Sequence, residues 1–221
     1  PGMFTSAVGV FSTGTSFRWI RDHLCQNLQM NAQQEGVDVY ELMTALAAKS
    51  PVGANKLLFN PSLAGGSSLD ASTNIRGAFI GLDLGHTQAD VIRAAMEGIG
   101  MALRLALDAL RKLEHLSDEI VVVGGGSQSK LWRQIYADLY NMNIVKTNID
   151  QQAAALGAAA VAAVGTGIWN DFKKIDDIHQ VEEVARPIPE NTTIYEQLLP
   201  VFTKAGKYQS ELGDMLTKLE I

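Results

Sequence analysis

The run VVVGGGSQSKLWRQIYADLY at 121–140 passes from an apolar strand through three consecutive glycines into an amphipathic helix. That order constrains the fold more than any other stretch. A strand that enters a helix through a tight turn is the repeating unit of a layered α/β structure, and the next strand then returns parallel to the first. The same alternation continues on both sides. Downstream, NIVKT (143–147) reads as a strand, followed by an alanine-rich helix in QQAAALGAAAVAAVGTGIWN (151–170). Upstream, Ile92, Met96, Ile99, Leu103, Ala106, Leu110 and Leu113 recur every three or four positions, which predicts a long amphipathic helix from Gln88 to about His115. Gly98 and Gly100 inside it should each cost about 1 kcal/mol relative to alanine, so a neighbour is expected to press close enough there to exclude a β-carbon.

The N-terminal half is read the same way. AVGVFSTGTSFRWIRDHL (7–24) is expected to begin as a short strand, turn at STGTS and continue as a helix through Phe17, Ile20, Arg21 and Leu24. A second helix is predicted over 38–50, ended by Pro51, and strands over 56–61 and 77–82 flank a Gly, Ser, Asn and Asp loop at 62–77. After Trp169 comes a charged, proline-containing connection and a final helix from about Thr193 to Leu219, expected to pack across the outside. One domain is expected across residues 1–221, with 170–221 as a C-terminal helical extension.

Charge narrows the partners. A net charge of −6 lacks the basic field that nucleic-acid binding needs. The longest uncharged run approaches membrane-spanning length, but it is built of alanine and glycine rather than leucine and isoleucine, so a close-packed helix is expected and no membrane partner. The single cysteine, Cys25, allows no internal disulfide and is read as a small buried apolar residue in a reducing, cytoplasmic setting. The four histidines show no paired metal spacing, and no metal site is expected. His86 is expected to orient its turn or cap the helix that follows.

Glycines 124–126 expose main-chain N–H groups beside the positive end of a helix, so a flat or charged ligand could lie directly on them. A tight turn that simply needs positive φ is the alternative. Two familiar phosphate motifs fail here. Lys130 is present, but the second glycine of a P-loop is not, and the dinucleotide fingerprint is met at Gly124 and Gly126 with Ser129 in the third glycine's place.

Three segments, IRGAFIGLDLGHTQADVIRAAMEGIGMALR (75–104), VVVGGGSQSKLWRQIYADL (121–139) and AAALGAAAVAAVGTGIW (153–169), together resemble the C-terminal domain of the FGGY carbohydrate kinases, in order and in spacing, with GVFSTGTSFRWIRDHL (9–24) adding a fourth. The xylulokinase-like members are the nearest in pattern. The resemblance implies an actin-like, ribonuclease H-like ATPase domain, an α/β fold with a mixed sheet flanked by helices. It implies ATP and Mg²⁺ as cofactors and transfer of the γ-phosphoryl group to a sugar hydroxyl, with a ketose such as xylulose as the expected acceptor. By motif match, Gly125 and Gly126 would pack under the adenosine, Ser129 would hydrogen-bond it, and Gly14 would let the backbone reach the phosphates. Arg18 would either pair with a phosphate or stand solvated on its helix.

DQQAA (150–154) mimics the segment that carries the family's catalytic aspartate, but its distance after the glycines assigns it to the E-A-A-A-L-G-A-A stretch, with Gln152 in place of glutamate. No catalytic residue is therefore assigned. The general-base aspartate, the phosphate hairpin and most of the sugar contacts are expected in an N-terminal portion, and the 221-residue chain alone is expected to bind nucleotide weakly and not to turn over. Two rival readings are a dinucleotide-binding domain of an oxidoreductase, with Asp150 reaching a ribose, and a non-catalytic kinase-like sensing module. A homodimer is left open.

Overall fold

The computed structural model of the chain describes residues 5–220. In order they form α1 (Thr13–Leu24), α2 (Gln26–Glu35), α3 (Val39–Ala47), β1 (Leu58–Asn60), β2 (Ala78–Ile80) and α4 (Gln88–Arg111). Then follow β3 (Glu119–Val122), α5 (Lys130–Tyr140), β4 (Asn143–Thr147), α6 (Ala153–Gly165), α7 (Lys174–Ile178), β5 (Val181–Ala185) and α8 (Pro189–Leu216). They divide into two compact units, one of Pro1–Leu116 with Ile188–Ile221, the other of Ser117–Pro187.

The first unit is organised around α4. Its apolar stripe buries Ile92, Met96 and Ile99, each at 1% exposure or less. The stripe lies against β1, which pairs antiparallel with β2 so that Phe59 faces Phe79, their rings 4.7 Å apart. Gly98 explains itself here: a β-carbon on it would stand 1.9 Å from the Phe59 carbonyl oxygen. α8 covers this unit with Tyr195 and Phe202, and its Gly213 makes a similar approach, 2.2 Å from the Asn74 carbonyl. Asp214 accepts hydrogen bonds from Ser72 Oγ (2.6 Å) and Asn74 Nδ2 (2.8 Å), so the 62–77 loop is tied to the last helix. Cys25 sits buried between α1 and α2, and burial pushes its thiol up to about 11.

In the second unit β3 pairs parallel with β4 and β4 pairs antiparallel with β5. α5 packs on this sheet through Ile135 and Leu139. Parallel pairing across the glycine turn follows the strand–turn–helix order, and β4 occupies the expected residues 143–147.

Three expectations are corrected. Residues 7–10 form no strand. An apolar tetrad becomes a strand only when another strand completes its ladder, and among the described residues none does. The alanine helix α6 buries only Ala160 and leaves a β-carbon at Gly157 in open space, rather than packing closely. Alanine is helical by its own propensity, so small side chains permit close approach without requiring it. The connection after Trp169 contains β5, an acidic strand that adds an antiparallel edge to the parallel pair.

Candidate functional site

The glycine turn lies in the second unit. Gly124 has φ +87 and ψ −173, a region open to glycine alone, and Gly125–Gln128 then make a short 3-10 turn with no side chain capping it. Backbone conformation thus explains one glycine of three. Gly125 and Gly126 do not have positive φ. A β-carbon on Gly125 would meet nothing within 4 Å, and one on Gly126 would reach only ordinary contact, 3.9 Å from Trp132 and Tyr136. The protein's own packing therefore does not demand glycine at 125 or 126. The bare main chain of Gly125 borders open space, and that of Gly126 faces Trp132 and Tyr136 at ordinary contact distance.

The turn is rigidly supported from below. Ser127 is buried and its hydroxyl donates to the Gly124 carbonyl at 2.7 Å. Ser129 ends the turn and caps α5, its hydroxyl accepting from the Trp132 N–H at 3.2 Å. On the next turns of α5, Trp132, Tyr136 and Tyr140 form an aromatic ladder with ring centroids 6.1 and 5.4 Å apart. Burial pushes the Tyr136 phenol well above its ordinary range. Arg133, 2% exposed, donates to the Ser127 carbonyl and to the Glu183 carboxylate of β5. A buried guanidinium thus fastens the glycine turn to the neighbouring strand. At the open end of the turn, Gln128 Nε2 donates to Asp150, whose other oxygen accepts from the Gln151 N–H. Asp150 is engaged in holding that end of the turn.

Gly14 and Arg18 lie in the first unit. Gly14 is in the first turn of α1, which follows Ser12 in the left-handed region (φ +66) and has no side-chain cap, and a β-carbon there would meet nothing within 4 Å. Arg18 is exposed on the same helix, one turn before Asp22, whose carboxyl is held below its ordinary range first by the Arg21 hydrogen bond and in smaller part by Arg18. Gly125, Gly126 and Ser129 are thus brought together in one turn, and Gly14 and Arg18 on one helix.

Arg133, Gln128 and Glu183 escaped the sequence reading. Arg133 falls on the buried side of α5, where an arginine needs a carboxylate partner, and that partner is on the unforeseen β5.

A second polar cluster, wholly within the first unit, holds an unusual turn. Gly53, Ala54, Asn55 and Lys56 all have positive φ (82, 46, 54 and 71). Three consecutive non-glycine residues in that region are strained, by roughly 1–2 kcal/mol each. Glu97 accepts from the Gly53 N–H (3.0 Å), Arg93 Nε (2.8 Å) and Tyr195 Oη (2.8 Å). Asp90 accepts from Ser50 Oγ (2.6 Å), Asn55 Nδ2 (2.8 Å), Thr87 Oγ1 (2.7 Å) and Thr87 N–H (2.8 Å). Burial alone would raise the Asp90 carboxyl, but these hydrogen bonds outweigh it and bring it down to about 2. His86 Nδ1 lies 3.0 Å from the Asp83 backbone nitrogen, and its Nε2 lies 3.3 Å from the Asn55 carbonyl. Its contact with Asp83 orients its own turn, as expected, and the contact with Asn55 reaches the turn at 53–56 as well.

Comparisons with known proteins identify the family and the fold. The model of the FGGY family of carbohydrate kinases, C-terminal domain, matches residues 1–166. The chain is 34% identical over 214 residues to the xylulose kinase of Staphylococcus epidermidis, covering 96% of itself and 41% of that relative. It is 30% identical over 195 residues to the gluconokinase of Bacillus subtilis, covering 88% of itself and 38% of the relative. Among solved structures, the ligand-bound xylulose kinase from Lactobacillus acidophilus superposes with a TM-score of 0.75 at 28% identity, over 89% of this chain and 38% of that one. The chain belongs to the FGGY family of carbohydrate kinases, matches its C-terminal domain, and has the α/β, actin-like ATPase fold of those enzymes. It spans about two fifths of the length of the curated relatives it matches.

Proposed function

We propose that this chain supplies the nucleotide-binding part of an ATP-dependent sugar kinase, with a ketose such as xylulose as acceptor. The observation that carries this reading is the open space over Gly125, where neither backbone strain nor internal packing accounts for the glycine. In this reading the adenosine lies on Gly125 and Gly126, and Ser129 uses its hydroxyl proton toward it while continuing to cap α5. For the first unit by itself, Gly14 at the uncapped start of α1 and Arg18 one turn on are proposed as phosphate-approaching residues.

Phosphoryl transfer is catalysed mainly by positioning and charge neutralisation, together with a base that takes the sugar hydroxyl's proton. The residues proposed here perform the positioning. In this proposal Mg²⁺ enters bound to the nucleotide's phosphates. The ketose assignment follows the xylulose kinases among the relatives, beside which the gluconokinase stands as the second acceptor class. An ATP-consuming sugar kinase is a cytoplasmic enzyme in this proposal, and no described helix is long and apolar enough to cross a membrane.

Calorimetry of the chain with ADP and with NADH, alongside a coupled assay with xylulose, tests the reading. Weak ADP binding that exceeds NADH binding, without sugar turnover, is expected. NADH preference, or robust phosphorylation by this chain alone, would contradict it.

A further inference from the structure

The glycine turn carries one long polar side chain beside its bare main chain. Gly125–Gln128 form a 3-10 turn, in which residues three apart stand over one another, so the Gln128 side chain leaves the backbone on the same side as the naked α-carbon of Gly125. That is the side on which a β-carbon of Gly125 would meet nothing within 4 Å. Gln128 therefore borders the open space.

Although Gln128 is exposed, its carboxamide has a set direction. Its Nε2 donates to Asp150, and a carboxylate only accepts hydrogen bonds, so the nitrogen end of the amide is the end turned to Asp150. Asp150 is itself fastened to its own main chain. Its other carboxylate oxygen accepts from the Gln151 N–H, and its carbonyl accepts from the Ala153 N–H at 3.3 Å. Just before it, the buried Thr147 donates its hydroxyl to the Ile149 carbonyl at 3.0 Å and so holds the chain that leaves β4. Gln128 Oε1 has no protein partner among the described residues. Within the second unit, an acceptor whose orientation is fixed by a neighbour thus stands unused at the rim of the space over Gly125.

We propose, in an inference that rests on the nucleotide site proposed above, that Gln128 reads the base and Asp150 is the positioning residue that makes it select adenine. A carboxamide edge presents an oxygen acceptor beside an N–H donor, the pattern that pairs with the amine and adjacent ring nitrogen of adenine. Purines that carry a carbonyl in place of that amine, hypoxanthine and guanine, reverse the order on the same edge: acceptor first, then a ring N–H donor. A free glutamine side chain would turn its amide over and accept either pattern. With the nitrogen end anchored on Asp150 it cannot, and a carbonyl purine sets oxygen against oxygen and leaves both groups unpaired. Hypoxanthine is the sharper probe, since it differs from adenine at this edge alone.

Titrations of the isotopically labelled 221-residue chain with Mg²⁺·ADP and with Mg²⁺·inosine diphosphate, read at the Gly125 and Gly126 amides, test this. ADP is expected to bind about tenfold or more tightly than inosine diphosphate. Gln128→Ala should weaken ADP and bring the two affinities together. Asp150→Ala should act differently: the released amide turns over, so inosine diphosphate binds several-fold more tightly while ADP changes little, whereas mere damage to the turn would weaken both alike. Equal binding of the two nucleotides to the parent chain, or an Asp150→Ala variant that loses both together, overturns the selection and leaves the nucleotide site standing. A glycine turn that responds to neither nucleotide overturns the site, and the selection with it.

Discussion

Gly98 and Gly125 are the same residue for opposite reasons. At Gly98 in the first unit, the Phe59 carbonyl oxygen lies 1.9 Å from where a β-carbon would be, so the glycine is demanded by a neighbouring strand. At Gly125 in the second unit nothing lies within 4 Å, and the backbone is not in the left-handed region. One glycine is consumed by the fold. The other is left over, and the proposed nucleotide site would supply the reason to leave it. Glycine count or clustering alone would not distinguish them, because Gly124, between strand and turn, is required by its own φ.

The contrast is broken most severely at Gly98. Gly98→Ala should destabilise the chain by about 3 kcal/mol or more, since the obstacle is main chain that cannot rotate aside, and urea unfolding would register it as a lower midpoint or a failure to fold. A chain of unchanged stability would mean that β1 stands further from α4 than described.

The next effect is an acid sensitivity confined to the first unit. Asp90 is held at about 2 against an ordinary 3.8, so its share of stability, about 2 kcal/mol, is fully present above pH 3.8 and lost as pH falls toward 2. Thermal melts of the parent chain and of Asp90→Asn across that window should converge as the acid end is approached. Parallel curves would show that Asp90 is not held in its charged form.

Arg133→Met probes the support of the glycine turn. It removes the donor to Ser127 and Glu183 while keeping much of the stem's volume, and a loss of about 1–3 kcal/mol is expected, with faster hydrogen exchange at the 125–128 amides than elsewhere. Uniform exchange would place Arg133 outside the site's support.

The smallest stability effect falls on the residue with the largest expected functional one. Gly125→Val should change stability by no more than about 1 kcal/mol, because the branched side chain enters open space, yet it should remove ADP binding by filling the room proposed for the adenosine. Large destabilisation would mean that Gly125 resembles Gly98 after all.

What could be read in advance follows the same division. Helix α4 announced itself through its apolar period, and its interruption at Gly98 correctly signalled a close neighbour. β4 lies between a helix end and a polar turn, and its bounds were legible to the residue. α2 was not, because QNLQMNAQQE buries only Ala32 and so carries almost no periodic signal. β5 reads as a charged connection because its side chains are almost all exposed, and with it went the partner that makes Arg133 intelligible. The left-handed run at 53–56 is held by Asp90, Glu97 and His86, all more than 25 residues away, and local sequence has no access to such support. For the proposed nucleotide site, sequence singled out the three glycines. Only the geometry separates the one that the backbone needs from the two that it does not.

The most direct test of that separation is a titration of the isotopically labelled chain with Mg²⁺·ADP, followed by backbone amide resonances, which report weak binding that other methods miss. Saturable shifts at Gly125, Gly126 and Ser129, with the Gly98 amide unmoved, are predicted. Shifts centred elsewhere, or a glycine turn that does not respond while the ligand binds, would contradict the account.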